Sequence, residues 1–169
     1  MATNCANISR TKTPSHCMTP DPAALRQIAA QLQAGVVLNL YSPVAGKDKF
    51  HILIHAGSER SLAFIINTRP APFVLKDPDR ASRHIVIPKA LHAFLDYDSH
   101  IACDEALGIA CGPGRSIGTM QHVINAVVTN EAKILGSLDR SMFAAVAAAA
   151  AGSRLIAPRD AVLIAAAFK

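Results

Sequence analysis

Apolar residues recur at helical spacing in the segment that begins at Asp21. Asp21 can cap a helix and Pro22 suits the first helical turn. The apolar positions, three or four residues apart, are Leu25, Ile28, Ala29 and Leu32. This pattern predicts one helix over residues 21–34, ending before Gly35.

From Gly35 the apolar pattern becomes the alternation that is typical of strands. Short segments rich in β-branched residues, bounded by Gly, Pro, Asp or Ser, lie at 35–41, 50–56, 61–68, 83–88 and 99–109. No helix-length spacer separates them, which favours a small antiparallel β-barrel or a strongly bent sheet over residues 35–110 rather than alternating strands and helices. Pro70, Pro72 and Pro78 exclude regular pairing between the third and fourth strands and predict an exposed, basic loop over 69–81.

Helical spacing returns in the last third of the chain. One helix is predicted over 117–130, with its apolar face formed by Ile117, Met120, Ile124 and Val127. A short strand over 133–136 and helices over 137–152 and 157–168 follow. The predicted fold class is therefore α+β, with an N-terminal helix, a small antiparallel SH3-like β-barrel, and a helical section over 116–168. We expect the apolar face of 117–130 to be covered, either by the barrel or by a second protein surface.

Composition narrows the class of protein. The chain has 169 residues, of which 51% are hydrophobic and 17% charged, which suits one domain over residues 21–169 and excludes disorder throughout. Residues 1–20 are rich in Ser, Thr, Asn and Pro and contain no acidic residue, which predicts a mobile tail, with a cleaved transit peptide as the alternative. We expect a cytoplasmic protein without a spanning helix, since there is no secretory signal and no apolar run of bilayer length.

The candidate metal ligands do not form a recognisable site. The four cysteines lack zinc-finger spacing and are expected to be reduced thiols. His100, Cys103 and Cys111 have no evident fourth ligand. His51 and His55 point to the same side of a strand but lie about 13 Å apart along it, too far to chelate one ion. No metal and no cofactor are predicted.

The order of elements resembles that of the PemK/MazF toxin family. The resemblance covers roughly residues 35–151, and the segments that carry it are GVVLNLY, KFHILIH, LAFIINTRP, HIVIPKALHAFLDYDSHIACDEALGI and KILGSLDRSMFAAVAAAA. Within them, CDE at 103–105 matches the family's Cys-Asp-Gln-like stretch. GSL at 136–138 matches its Gly-x-Leu turn, and IINT at 65–68 matches the end of its hydroxyl-bearing strand.

This resemblance implies a ribonuclease-like toxin of a toxin-antitoxin system that cleaves single-stranded RNA without a metal. It implies an SH3-like barrel, often a homodimer, with an antitoxin protein as a partner. The family's catalytic Arg falls on KDKF at 47–50, so Lys49 or Lys47 takes its place, and the family's Thr or Ser falls on Thr68. The residues expected to contact RNA are Lys47, His51, Arg69, Arg80 and Arg83.

A second hypothesis is a non-catalytic barrel module that binds a nucleic acid or a protein. Lysine lacks the bidentate fork of arginine, and Ile66 stands where the family has proline. The net charge of +5 permits a polyanionic partner under either hypothesis.

Overall fold

The structure is a computed structural model that describes residues 21–43, 45–109 and 118–169. The predicted tail over 1–20 lies outside the described residues, and so does Ile117 of the predicted apolar face. No helix within the described ranges is long and apolar enough to cross a membrane.

The core of the fold is a six-stranded sheet in which every pair of neighbouring strands is antiparallel. The strands are β1 (Val36–Ser42), β2 (Lys47–Ala56), β3 (Ser61–Asn67), β4 (His84–Ile87), β5 (Ser99–Gly108) and β6 (Ala132–Ser137). Their spatial order is β4-β5-β3-β2-β1-β6. The five predicted strands are confirmed, and the short strand predicted over 133–136 is β6, which pairs with β1.

The sheet is open and does not close into a barrel, so the α+β class is confirmed and the predicted SH3-like barrel is not. Strands β4 and β6 form the two edges. The central strand β3 is buried from Ser61 to Ile66, which is typical of a strand covered on both faces. Helices on each face, rather than closure of the sheet, remove its apolar surface from water.

Helices α5 (Phe143–Ala150) and α6 (Pro158–Ala167) cover one face, which we call the α5–α6 face. Phe64 of β3 is fully buried there and stacks on Phe168, with ring centroids 6.2 Å apart. Gly35 has a φ of +88°, and a Cβ at this position would lie 2.8 Å from Cζ of Phe143. The turn into β1 therefore needs glycine both for its backbone angle and for the close approach of this ring.

Helices α1 (Pro22–Gln31) and α4 (Met120–Val128) cover the opposite face, which we call the α1–α4 face. The predicted helices over 21–34 and 117–130 are thus confirmed, with shorter bounds. Ile124 is 6% exposed, and Met120 and Val127 are partly buried in the same cluster. The apolar face of α4 is therefore covered by the chain itself.

The segment predicted as an irregular loop over 69–81 contains two short helices, α2 (Pro72–Leu75) and α3 (Pro78–Ser82). Each begins with proline at a first-turn position, where the missing N–H costs no helical hydrogen bond. Asp77 caps α3 by accepting hydrogen bonds from the backbone N–H groups of Asp79 and Arg80. Pro72 and Pro78, which prevent strand pairing in this segment, therefore each begin a short helix.

Candidate functional site

A cavity of about 430 Å³, which we call the Lys49 cavity, opens on the α1–α4 face beside β3 and β5. Side chains alternate along a strand, so Lys49 of β2 lies on the same face as Leu53, which belongs to the core under α1 and α4. The polar residues lining the cavity are Lys47, Lys49, Asn67, Arg80, His84, Asp104 and Glu105. Its walls also include apolar side chains, among them Phe73 and Val74 of α2.

Lys49 is held in a defined position at one end of this cavity. Its Nζ donates a hydrogen bond of 2.7 Å to Oδ1 of Asn67 on the neighbouring strand. The pKa of Lys49 is lowered, first by burial and then by the charge of Lys47. An anion placed between the two ammonium groups would relieve both effects, so this end of the cavity is suited to a phosphate or carboxylate.

Asp104 organises the other polar end. It is 2% exposed, and its Oδ2 accepts hydrogen bonds from Nε and Nη2 of Arg80 at 2.8 and 2.6 Å. Its Oδ1 lies 3.2 Å from Nε2 of His84. The carboxylate therefore fixes the guanidinium of Arg80 at the cavity wall and neutralises its charge.

The His84 side chain is only 4% exposed, and neither ring nitrogen has a hydrogen-bond partner with good geometry among the described residues. Burial lowers the pKa of His84, and the charge of Asp104 partly opposes that effect. His84 is thus a neutral imidazole at neutral pH beside a carboxylate, a combination that acid–base chemistry uses.

His51 follows Lys49 by two residues on β2 and does not line the cavity. It is 5% exposed, and its Nδ1 is 3.0 Å from the carbonyl oxygen of Lys49, so the tautomer consistent with this contact carries its proton on Nδ1. Burial is the largest cause of its lowered pKa, and the charge of Lys49 acts in the same direction. The structure places His51 as a neutral support of the strand.

Thr68 is exposed and lines a second cleft of about 250 Å³, together with Lys47, Lys49 and residues 95–97. Thr68 follows the last residue of β3 and shares this cleft with Phe50 and Ile66, whereas Asn67 holds the Lys49 ammonium. Lys49 and Thr68, which were predicted to act together, therefore line the same cleft. The Lys49 ammonium is hydrogen-bonded to Asn67.

The other predicted contacts separate into two groups. Lys47 and Arg80 line the Lys49 cavity, whereas Arg69 is exposed and lines neither cavity nor cleft. Arg83 is also outside both, because its Nη1 donates to the carbonyl oxygens of Ala149 and Ala151 at 2.9 and 2.7 Å. Its cation therefore interacts favourably with the C-terminal end of α5.

Sequence reasoning missed Asn67, His84, Asp104 and Phe73. Asp104 entered the sequence analysis only as part of the CDE stretch, and Phe73 lay in a segment expected to be an exposed loop. The turn at Gly57 is a sequence signal for the β2–β3 hairpin, but Asn67 stands beside Lys49 only because the register shifts by one residue between Leu53 and His55. No comparable signal in the sequence joins β4, β5 and α3, which bring the other residues together.

Metal and thiol chemistry find no support at this site. Over residues 21–43, 45–109 and 118–169, no group of three His, Cys, Asp or Glu side chains is arranged to hold a metal ion. Cys103 is buried in the core of the α5–α6 face, and burial raises the pKa of its thiol to about 12. The Cys103 thiol is therefore protonated at neutral pH, and the side chain serves as part of the core.

Comparison with protein-family models, curated proteins and solved structures finds no match to this chain. The geometry of the cavity therefore carries the functional argument.

Proposed function

We propose that this protein binds single-stranded RNA through the Lys49 cavity. The observation that carries the proposal is the half-buried Lys49 ammonium, held by Asn67 beside Lys47 at one end of a cavity large enough for a nucleotide. A phosphate at this end of the cavity would interact with the cations of Lys47 and Lys49, and Asn67 already orients the second of these. The net charge of +5 adds a general attraction for a polyanion.

The charges of the cavity are unevenly distributed, which gives a bound strand a direction. Asp104 neutralises Arg80 at one end, while Lys47 and Lys49 have no carboxylate partner within salt-bridge distance among the described residues. The lysine end is therefore the phosphate subsite, and the Arg80 end contacts the sugar or base.

Cleavage of the bound RNA, as in a PemK/MazF-type toxin, is the catalytic form of this proposal. In metal-independent cleavage the ribose 2′-oxygen bonds to the phosphorus and the bond to the 5′-oxygen breaks. The step needs a group that takes the proton of the 2′-OH and returns one to the departing 5′-oxygen, and a cation for the crowded phosphorane. Lys49 supplies the cation, Thr68 supplies a hydroxyl from the adjoining cleft, and His84 is a neutral imidazole in the cavity wall. An antitoxin and a second copy of the chain remain predicted partners.

A non-catalytic binding module is the second candidate. The observation that favours it is the lining of the Lys49 cavity, in which the described residues include no Ser, Thr or Tyr. The shielded ring nitrogens of His84 point the same way, since the ring must turn to reach a substrate.

Binding is tested by anisotropy of a labelled oligouridylate between 50 and 200 mM salt. We expect Lys49→Met to weaken binding and to reduce the slope of log affinity against log salt by about 0.7, the value for one phosphate contact. Lys133→Met is the matched control, because Lys133 is an exposed lysine on the far edge strand β6. Equal losses in both variants would show that the binding is nonspecific.

Cleavage is tested by incubating the same RNA with the protein in EDTA, and by inducing expression in a bacterial host. A toxin would cut the RNA and arrest growth, and Thr68→Ala would relieve the arrest while the protein stays folded. Intact RNA with Lys49-dependent binding would instead establish the binding module.

A further inference from the structure

An exposed aromatic ring stands at the wall of the Lys49 cavity. Phe73 is 63% exposed, although burial of such a large apolar side chain is favourable. Its neighbour on α2, Val74, is 3% exposed and anchors this short helix to the rest of the chain. Val74 therefore provides the packing contact of α2, and the Phe73 ring does not contribute to the core.

The Phe73 ring is also held in place by a cation. Cζ of Arg80 lies 5.3 Å from the ring centroid, and Arg80 is itself fixed by two hydrogen bonds to Asp104. The chain from Asp104 through Arg80 to Phe73 positions an aromatic surface next to a phosphate subsite. Aromatic side chains beside a cationic groove are the arrangement by which proteins bind single-stranded nucleic acids.

We propose that Phe73 is the stacking platform for one unpaired nucleobase of the strand whose phosphate lies at Lys47 and Lys49. This inference rests on the proposed RNA binding and adds that the protein recognises an unpaired base of the ligand as well as its phosphate. A base in a duplex has both faces covered by its neighbours, whereas an unpaired base offers a free face to the ring. The ligand class is therefore a single strand with accessible bases, rather than a duplex or a bare phosphate.

The test compares two ligands of equal charge, an oligouridylate and the same ribose-phosphate chain without bases. The wild-type protein binds the base-bearing strand more tightly. Phe73→Ala loses about 5- to 150-fold in affinity for that strand and leaves the affinity for the abasic strand unchanged. Phe73→Tyr, which keeps the ring, restores the preference.

Leu75→Ala is the matched control, since Leu75 is an apolar residue on the same helix with a similar exposure of 60%. It binds both strands as the wild type does, and circular dichroism verifies that all variants fold. The inference is overturned if Phe73→Ala keeps the preference for bases or if Leu75→Ala loses it equally. Lys49→Met separates the two proposals, because it weakens binding of both strands. If Lys49→Met has no effect on either strand, the proposed function fails as well.

Discussion

At the scale of single residues, the Lys49 cavity depends on contacts between buried and half-buried polar groups. Asp104 is shared by Arg80 and His84, and Asn67 holds Lys49. A buried ion pair adds little net stability over an apolar pair, but removal of one partner leaves the other uncompensated. The same contacts that shape the site are therefore expected to be costly to break.

Asp104→Ala tests this dependence. We expect a loss of about 3 kcal/mol in the free energy of unfolding, the lower end of the range for buried pairs, because the Arg80 side chain is 27% exposed. Glu105→Ala, at an exposed position on the same strand, should change stability by less than about 0.5 kcal/mol. Urea denaturation measures both, and similar losses in the two variants would contradict the assigned role of Asp104.

The buried histidines predict a pH dependence of stability. The pKa values of His51 and His84 are lower in the folded chain than the ordinary value of about 6.5, mainly through burial. The unfolded chain therefore takes up protons first as pH falls, so stability is full above about pH 6.5 and declines below it. Urea denaturation at pH 7.5, 6.5 and 5.5 measures the decline. In a His51→Gln, His84→Gln double variant, stability should decline less steeply as pH falls. An unchanged decline would show that the two histidines do not cause the pH dependence.

At the scale of elements, each helix is placed by the face that it buries. The spacing of Met120, Ile124 and Val127 correctly predicted α4, and its partner is the chain's own sheet together with α1. Arg83 connects elements of the other face by bonding the carbonyl oxygens at the end of α5. The short helices α2 and α3 bring Phe73 and Arg80 to the cavity.

Substitution of Ile124 distinguishes an intramolecular core from an interface between subunits. Ile124→Asp places a charge where the native side chain is 6% exposed, so we expect loss of folding rather than a folded monomer released from a dimer. Ile124→Ala should cost about 2–5 kcal/mol, as for other buried isoleucines. Gln121→Ala, at an exposed position on the same helix, is the control. Thermal unfolding and size-exclusion chromatography measure the outcome. A folded Ile124→Asp variant that elutes as a monomer would contradict the assignment of Ile124 to the core.

At the scale of the whole molecule, two apolar cores share one sheet. Phe64 lies in the core of the α5–α6 face, and its neighbour Ala63 lies in the core of the α1–α4 face. Neither core can be lost without disturbing β3, which is the third strand from one edge. The cores are therefore expected to unfold together.

This expectation is tested with one variant in each core. Phe64→Ala and Leu38→Ala, both at fully buried positions on opposite faces, should each lower one common unfolding midpoint. Far-ultraviolet circular dichroism and the fluorescence of Tyr41 and Tyr97, in a chain without tryptophan, should give coincident transitions. Two separate transitions, each moved by one variant, would show independently folding layers.

The sequence by itself determined the elements, because helical and strand spacing are local properties. Leu25 to Leu32 specified α1, and the β-branched runs specified the strands with errors of a few residues at their ends. Lys49 and Arg80, which line the cavity, were already among the residues predicted to act on or contact RNA.

Only the tertiary structure decided that the sheet stays open and where the cavity lies. A strand buried on both faces has the same local pattern whether it is covered by helices or by closure of a barrel, so β3 could not distinguish the two. The meeting of Asp104 with Arg80 and His84 depends on the pairing of β4 with β5 and on the placement of α3. Such contacts join residues distant in sequence, and the free energy that selects them comes from packing of the whole chain rather than from any one segment.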